Sequence, residues 1–172
     1  ANRTIESFDG LYTVNYEFNG GRVDDTLPET ITRTSNTITL PVATREGYVF
    51  NGWYTDESYT TEIKEIPSGT TQDVSVYAKW TPITYTITYE LNGGTNAGDA
   101  VTIYTVEDNV TLPIPQHKKW DFIGWYEGSE SNIKLTEWST GEKTGNVTLY
   151  AKWANSTEST IISKIKDLVK SE

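Results

Sequence analysis

Four short motifs occur twice in this chain, in the same order and at a near-constant offset, and no other feature limits the fold as much. Tyr16-Glu17-Phe18-Asn19-Gly20-Gly21 returns as Tyr89-Glu90-Leu91-Asn92-Gly93-Gly94. Leu40-Pro41 returns as Leu112-Pro113, and Phe50-Asn51-Gly52-Trp53-Tyr54 as Phe122-Ile123-Gly124-Trp125-Tyr126. Tyr77-Ala78-Lys79-Trp80 returns as Tyr150-Ala151-Lys152-Trp153. The offset is 73 residues for the first and last motifs and 72 for the two between them. Ordered matches at one offset mean duplication of a structural unit. Repeat one is placed at 11–81 and repeat two at 82–154, after a lead-in of residues 1–10. Pro82 fixes φ in the short joint between them. The copies are therefore expected end to end with restricted motion.

Each copy opens with alternation of period two, the mark of a strand with one wet face. Tyr12, Val14, Tyr16 and Phe18 point one way; Thr13, Asn15 and Glu17 point the other. Tyr85, Ile87, Tyr89 and Leu91 repeat the pattern. Asn-Gly-Gly then ends the strand, because Asn and Gly tolerate the positive φ of a tight turn. Further strands are expected at 29–33 and 100–104, and at 37–40 and 110–112, where a following proline stops pairing. Gly52 and Gly124 interrupt the Gly-Trp-Tyr strand and predict a bulge or a close contact. In the variable segments, 55–69 and 127–145, Ile63, Ile66, Ile133 and Trp138 suggest a helical turn. The last strand buries Val74, Val76, Ala78 and Trp80, or Val147, Leu149, Ala151 and Trp153. The expected fold class is α+β: two small, strand-dominated units, each with a short helix or helical turn. The tail, 155–172, reads as an amphipathic helix or linker. Ile161, Ile162, Ile165, Leu168 and Val169 fall at helical spacing, and Asn155 with Glu158 makes a capping-box-like start.

Composition agrees with strands and narrows the chemistry. Eleven tyrosines and six tryptophans suit a pleated, half-buried surface and can fill a small core. The absence of cysteine removes disulfides and thiolate chemistry. The chain does not begin with methionine, so a fragment or processed product is expected. A net charge of −10 opposes binding to nucleic acid. The apolar runs are far shorter than the ~20 residues a membrane-spanning helix needs, so no membrane insertion is expected. The fragment is expected to be a monomer.

No constellation of catalytic groups stands out. His117 lacks a second histidine or any cysteine as a metal-binding or catalytic partner, and reads as a surface histidine. The acidic pairs Asp24-Asp25, Asp56-Glu57 and Glu107-Asp108 lack the spacing of a calcium loop and read as turn acids. Trp53, Trp80, Trp125 and Trp153 repeat in register and read as core. Trp120 and Trp138 replace Tyr48 and Ile66, and are the only weak candidates for ligand binding. Lys79 and Lys152 lie on the alternate face of the last strand and are expected in solvent. No catalytic residue, metal ligand or cofactor is assigned.

The ordered motifs, from Asn-Gly-Gly through Leu-Pro and Gly-Tyr-x-Phe-x-Gly-Trp-Tyr to Tyr-Ala-Lys-Trp, resemble the Listeria–Bacteroides repeat family in two tandem copies. That family is similar to the B repeat of internalin B. The resemblance covers about residues 11–154. It implies a β-grasp-like unit, in which a small mixed sheet packs on a short helix. It also implies a non-enzymatic bacterial surface or secreted module that acts as a spacer, adhesion or protein-interaction unit. Such a module would sit outside the cell or on its surface, as part of a larger secreted protein. Its partner would be a host or bacterial surface protein or a glycan. A carbohydrate-binding module using exposed aromatics is the alternative. Repeat two departs from the pattern, with Lys119 for Gly47 and Trp120 for Tyr48. If Gly47 has positive φ, Lys119 must accept strain or change the turn.

Overall fold

The computed structural model describes residues 10–170. Its contacts divide the chain into two compact units, Ala1–Pro82 and Ile83–Glu172.

Unit one contains β1 (Tyr12–Glu17), β2 (Thr30–Ile31), β3 (Ile38–Thr39), β4 (Tyr48–Tyr54), β5 (Glu62–Ile63), β6 (Glu65–Ile66) and β7 (Val74–Pro82). Five of these form a mixed sheet in the order β2-β1-β7-β4-β5, and β3 pairs with β6 in a small second sheet. The first and last strands run parallel, with Val14 beside Val74 and Tyr16 beside Val76. Strand β4 closes on the other side of β7, antiparallel. The central strand is thus the last one made, so the unit depends on contacts between its two ends. Val76 and Ala78 of that strand are fully buried. Around them pack Val14, Ile31, Leu40, Trp53 and Ile66.

Unit two repeats the plan with β8 (Tyr85–Glu90), β9 (Ile103–Tyr104), β10 (Val110–Thr111), β11 (Asp121–Glu127), β12 (Lys134–Leu135), β13 (Glu137–Trp138) and β14 (Val147–Ala154). The main sheet is ordered β12-β11-β14-β8-β9 and β10 pairs with β13. Leu149 and Ala151 take the places of Val76 and Ala78. Registers correspond: Tyr12 faces Ile31 and Tyr85 faces Tyr104.

The period-two strands are where the sequence puts them. Tyr12–Glu17 and Tyr85–Glu90 show the same alternation of covered and exposed residues. The Asn-Gly-Gly turn is of the type in which both central residues have positive φ: 50° at Asn19 and 85° at Gly20, 49° at Asn92 and 92° at Gly93. It closes with Gly21 N–H donating to the Phe18 carbonyl, and Gly94 N–H to that of Leu91, both at 3.0 Å. The register shifts between Phe50 and Trp53, and between Phe122 and Gly124, so both glycines lie in bulges.

The helical turn expected inside each repeat is not there. Ile63 pairs with Trp53 in the main sheet, whereas Ile66 pairs with Ile38 in the small one. Between them the Lys64 carbonyl accepts the Leu40 N–H at 2.9 Å. The chain thus crosses from one sheet to the other in extended form, and the three-residue spacing of the isoleucines records that crossing. In unit two Trp138 pairs with Val110, the Thr136 carbonyl accepts from Leu112, and Ile133 stands 73% exposed. Among the described residues the helix is α1 (Ser156–Val169). It touches β11 and β14. Its Ile161, Ile165, Leu168 and Val169 face solvent. The side chain of Glu158, one half of the expected capping box, lies outside the described side chains, as do residues 1–9 of the lead-in.

Candidate functional site

The repeated motifs hold one another. Trp53 and Trp125 are 2% and 1% exposed, and each indole N–H donates at 2.7 Å to the carbonyl of the motif proline, Pro41 or Pro113. Trp80 and Trp153 donate at 2.9 Å to the Phe18 and Leu91 carbonyls. The Asn19 and Asn92 side-chain amides donate at 2.9 Å to the Ala78 and Ala151 carbonyls. Gly21 and Gly94 are required by the same arrangement, because a Cβ there would run into the Trp80 or Trp153 indole. Each of these donors finds a backbone acceptor within its own unit, as the buried indoles of Trp53 and Trp125 demand. Asn-Gly-Gly, Leu-Pro, Gly-Trp-Tyr and Tyr-Ala-Lys-Trp are therefore four parts of one structural lock.

Rings add to it. Phe50 packs on Trp53 and Trp80 with centroids 5.8 and 5.2 Å away. Phe122 does the same with Trp125 and Trp153 at 5.4 and 5.5 Å. The Tyr89 hydroxyl donates to the Val101 carbonyl at 2.7 Å, and burial pushes its pKa up to about 12. Burial also raises Tyr16, whose hydroxyl donates to the Pro28 carbonyl.

The two weak ligand candidates part company. Trp138 is 6% exposed and belongs to the core of unit two, against Tyr104. Its indole nitrogen is buried without a hydrogen-bond partner. Trp120 is 49% exposed. It flanks an open depression of about 510 Å³ lined by Asn92, His117, Trp120, Ile123, Lys152 and Trp153. An adjoining one of about 740 Å³ is bounded by Gly93, Thr95, Gln116, His117, Lys118 and Lys119. His117 belongs to both. Its ring lies 5.1 Å from Trp153 and 6.1 Å from Trp120, so it is a half-buried packing element rather than a free surface group. The available signal is its alignment with Arg45, whose side chain covers Gly20 as His117 covers Gly93.

Lys79 and Lys152 are also less exposed than alternation suggests. Lys79 lies 5.0 Å from the Tyr54 ring centre, while Lys152 lies 4.3 Å from that of Tyr126 and donates to the Ser131 carbonyl. The acids hold turns. Asp56 accepts the Thr60 and Thr61 N–H groups and the Thr60 hydroxyl, and the Thr60 amide leads in drawing its pKa below the ordinary carboxylate value. Asp108 accepts the Thr105 N–H and hydroxyl. Asp24 lies 3.9 Å from the Arg22 guanidinium at an exposed site. Among the described residues no three His, Asp or Glu side chains gather as a metal site would require. No helix there is long and apolar enough to cross a membrane.

The model of the Listeria-Bacteroides repeat domain matches residues 12–79 and again 85–152. A protein of Evansella cellulosilytica, provisionally named a membrane protein, is 35% identical over 146 residues, 84% of this chain and 21% of the relative. A second from that organism, provisionally named a Gly-rich membrane protein, is 33% identical over 145 residues, 83% of this chain and 16% of the relative. Internalin H of Listeria monocytogenes is 30% identical over 115 residues, 64% of this chain and 20% of that protein. The chain thus spans only 16 to 21% of the length of these relatives. No solved structure matches it. The chain belongs to the Listeria-Bacteroides repeat family and carries two tandem copies of the repeat.

Proposed function

We propose that this chain is a non-enzymatic repeat module of a bacterial surface protein, which spaces or presents neighbouring parts of that protein and offers its variable loops to a protein partner. The observation that carries the reading is the lock. The residues that recur between copies direct their polar groups to backbone of the same unit. A repeat whose common residues are structural is suited to mechanical or display work, with specificity left to loops that differ between copies. The names of the relatives, two membrane proteins and an internalin, support a place at the cell surface. We read the boundaries as 11–81 and 82–154, with 155–172 as a C-terminal amphipathic helix or linker. The central parallel pair of first and last strands supports a β-grasp-like plan in which short strands stand where the helix would be.

The test is labelling of intact cells of the source bacterium with antibodies to the chain. Signal on unpermeabilised cells, removed by added protease, is expected. Signal confined to permeabilised cells would sink the proposal. One observation favours the carbohydrate-binding alternative: the exposed Trp120 beside an open depression.

A further inference from the structure

At the turn before the Gly-Trp-Tyr strand copy two departs from copy one, and the difference brings out a tryptophan. In copy one Gly47 has φ of 78°, and the Tyr48 N–H closes the turn onto the Arg45 carbonyl at 3.2 Å. Strand β4 then starts at Tyr48, which is half-buried, with the Arg45 guanidinium 3.6 Å from its ring centre. In copy two Lys119 stands in place of Gly47 and does not adopt positive φ, which among the described non-glycine residues is confined to Asn19, Tyr59 and Asn92. The turn has changed instead: the Lys119 N–H donates to His117 Nδ1 at 3.1 Å. Strand β11 starts one position later, at Asp121. Trp120 is left ahead of the strand, 49% exposed, with His117 behind it and Trp153 behind His117.

The charge changes at the same place. Arg45 and Glu46 offset each other in copy one, whereas the corresponding stretch of copy two reads Gln116-His117-Lys118-Lys119-Trp120, followed by one acid, Asp121. In a chain of net charge −10 this is a local cationic spot against an exposed aromatic face. His117 lines both depressions, the lysines bordering one and the indole the other.

We infer that the surface around His117, where Gln116, Lys118 and Lys119 line one depression and Trp120 and Trp153 the next, binds an acidic saccharide: a pyranose chain bearing carboxylate or sulfate groups. The inference rests on the glycan alternative above and gives it a place and a charge. A pyranose presents an apolar C–H face that stacks on an indole held in one orientation. Its hydroxyls suit the amide of Gln116, and its acid groups suit the two ammonium groups. The rest of the acidic surface repels such a ligand, which confines it to this spot. An acidic peptide would use the lysines but gain little from a flat exposed indole. Copy one, with a half-buried Tyr48 and a paired charge, lacks the site.

The experiment titrates the full chain, by intrinsic tryptophan fluorescence at low and at high salt, with four probes: hexagalacturonate, a chondroitin sulfate hexasaccharide, neutral maltohexaose and hexaglutamate. Saturable binding of one or both acidic sugars is expected, weakened by salt. Trp120→Ala, and separately the pair Lys118→Ser and Lys119→Ser, should weaken it at least about tenfold, as loss of an anchoring contact does. Thermal melts should show that the variants stay folded, and Trp120→Tyr supplies a milder second variant. The carboxylated and sulfated probes distinguish which acid group is preferred. Equal binding of maltohexaose would overturn the acidic specificity while leaving the glycan alternative standing. Equal binding of hexaglutamate, or binding indifferent to Trp120→Ala, would overturn the site. No binding of any hexasaccharide would overturn the site and the glycan alternative together.

Discussion

The Trp80 indole fills the space that a side chain on Gly21 would need, and Trp153 stands in the same relation to Gly94. The second glycine of each Asn-Gly-Gly is thus set by a residue about sixty positions away, at the end of the last strand. Gly21→Ala or Gly94→Ala should cost about 1–3 kcal/mol through overpacking of the lock. At Gly98 the place a Cβ would occupy has nothing within 4 Å and φ is not positive, so Gly98→Ala should change stability by less than about 0.5 kcal/mol. Denaturant unfolding of the three variants checks the contrast.

Trp53→Phe and Trp125→Phe keep a ring in the core but remove the donor that serves the Pro41 or Pro113 carbonyl. Each should destabilise its own unit by about 1–3 kcal/mol, since a partly buried acceptor is left unmatched. Trp120→Ala should fall within about 0.5 kcal/mol of the parent, as exposed substitutions do. Equal losses at all three positions would contradict the division into locking and exposed tryptophans.

Acid sensitivity should trace partly to Asp56. Its amide and hydroxyl donors hold its pKa below the ordinary value. A depressed carboxylate gives stability that is present above the unfolded-state pKa and lost as pH falls through the folded-state one. Thermal melts between about pH 6 and pH 2 should therefore show a shallower loss in Asp56→Asn than in the parent. The variant should already be less stable at neutral pH.

At the alkaline end the sign reverses. Tyr89 is raised to about 12 by burial, above the ordinary value of 10.0. Its contribution is complete below the unfolded-state pKa and is lost as pH rises through the folded-state one. The parent should lose stability as pH rises from about 10 toward 12, and Tyr89→Phe should flatten that fall. Melting curves of unit two followed across this range provide the check.

Much of this fold is legible in the chain, for reasons that are local. Period two marks β1 and β8 because a strand with one wet face must alternate, and Asn19-Gly20 marks a turn because few other pairs hold two positive φ values. The crossing at Ile63 and Ile66 is not legible. Its three-residue spacing imitates a helix, and only the distant partners Trp53 and Ile38 make it two strands. His117 is equally opaque, since the rings that enclose it, Trp120 and Trp153, include one 36 positions away. Lys79 and Lys152 escape the alternation rule because their ammonium groups lie over the rings of neighbouring tyrosines. Trp120 and Trp138 look alike as departures from copy one. Trp138 takes the buried place of Ile66 within an existing strand pair, whereas Trp120 stands where the turn itself has changed.

Hydrogen exchange of the six indole N–H groups, followed by NMR on the full chain, tests the lock most directly. Trp53, Trp80, Trp125 and Trp153 are expected to exchange slowly, because each donates to a carbonyl within its own unit. Trp120 is expected to exchange at the rate of a free indole. Rapid exchange at any of the four, or strong protection at Trp120, would contradict the assignment of the repeated motifs to structure and of Trp120 to the surface.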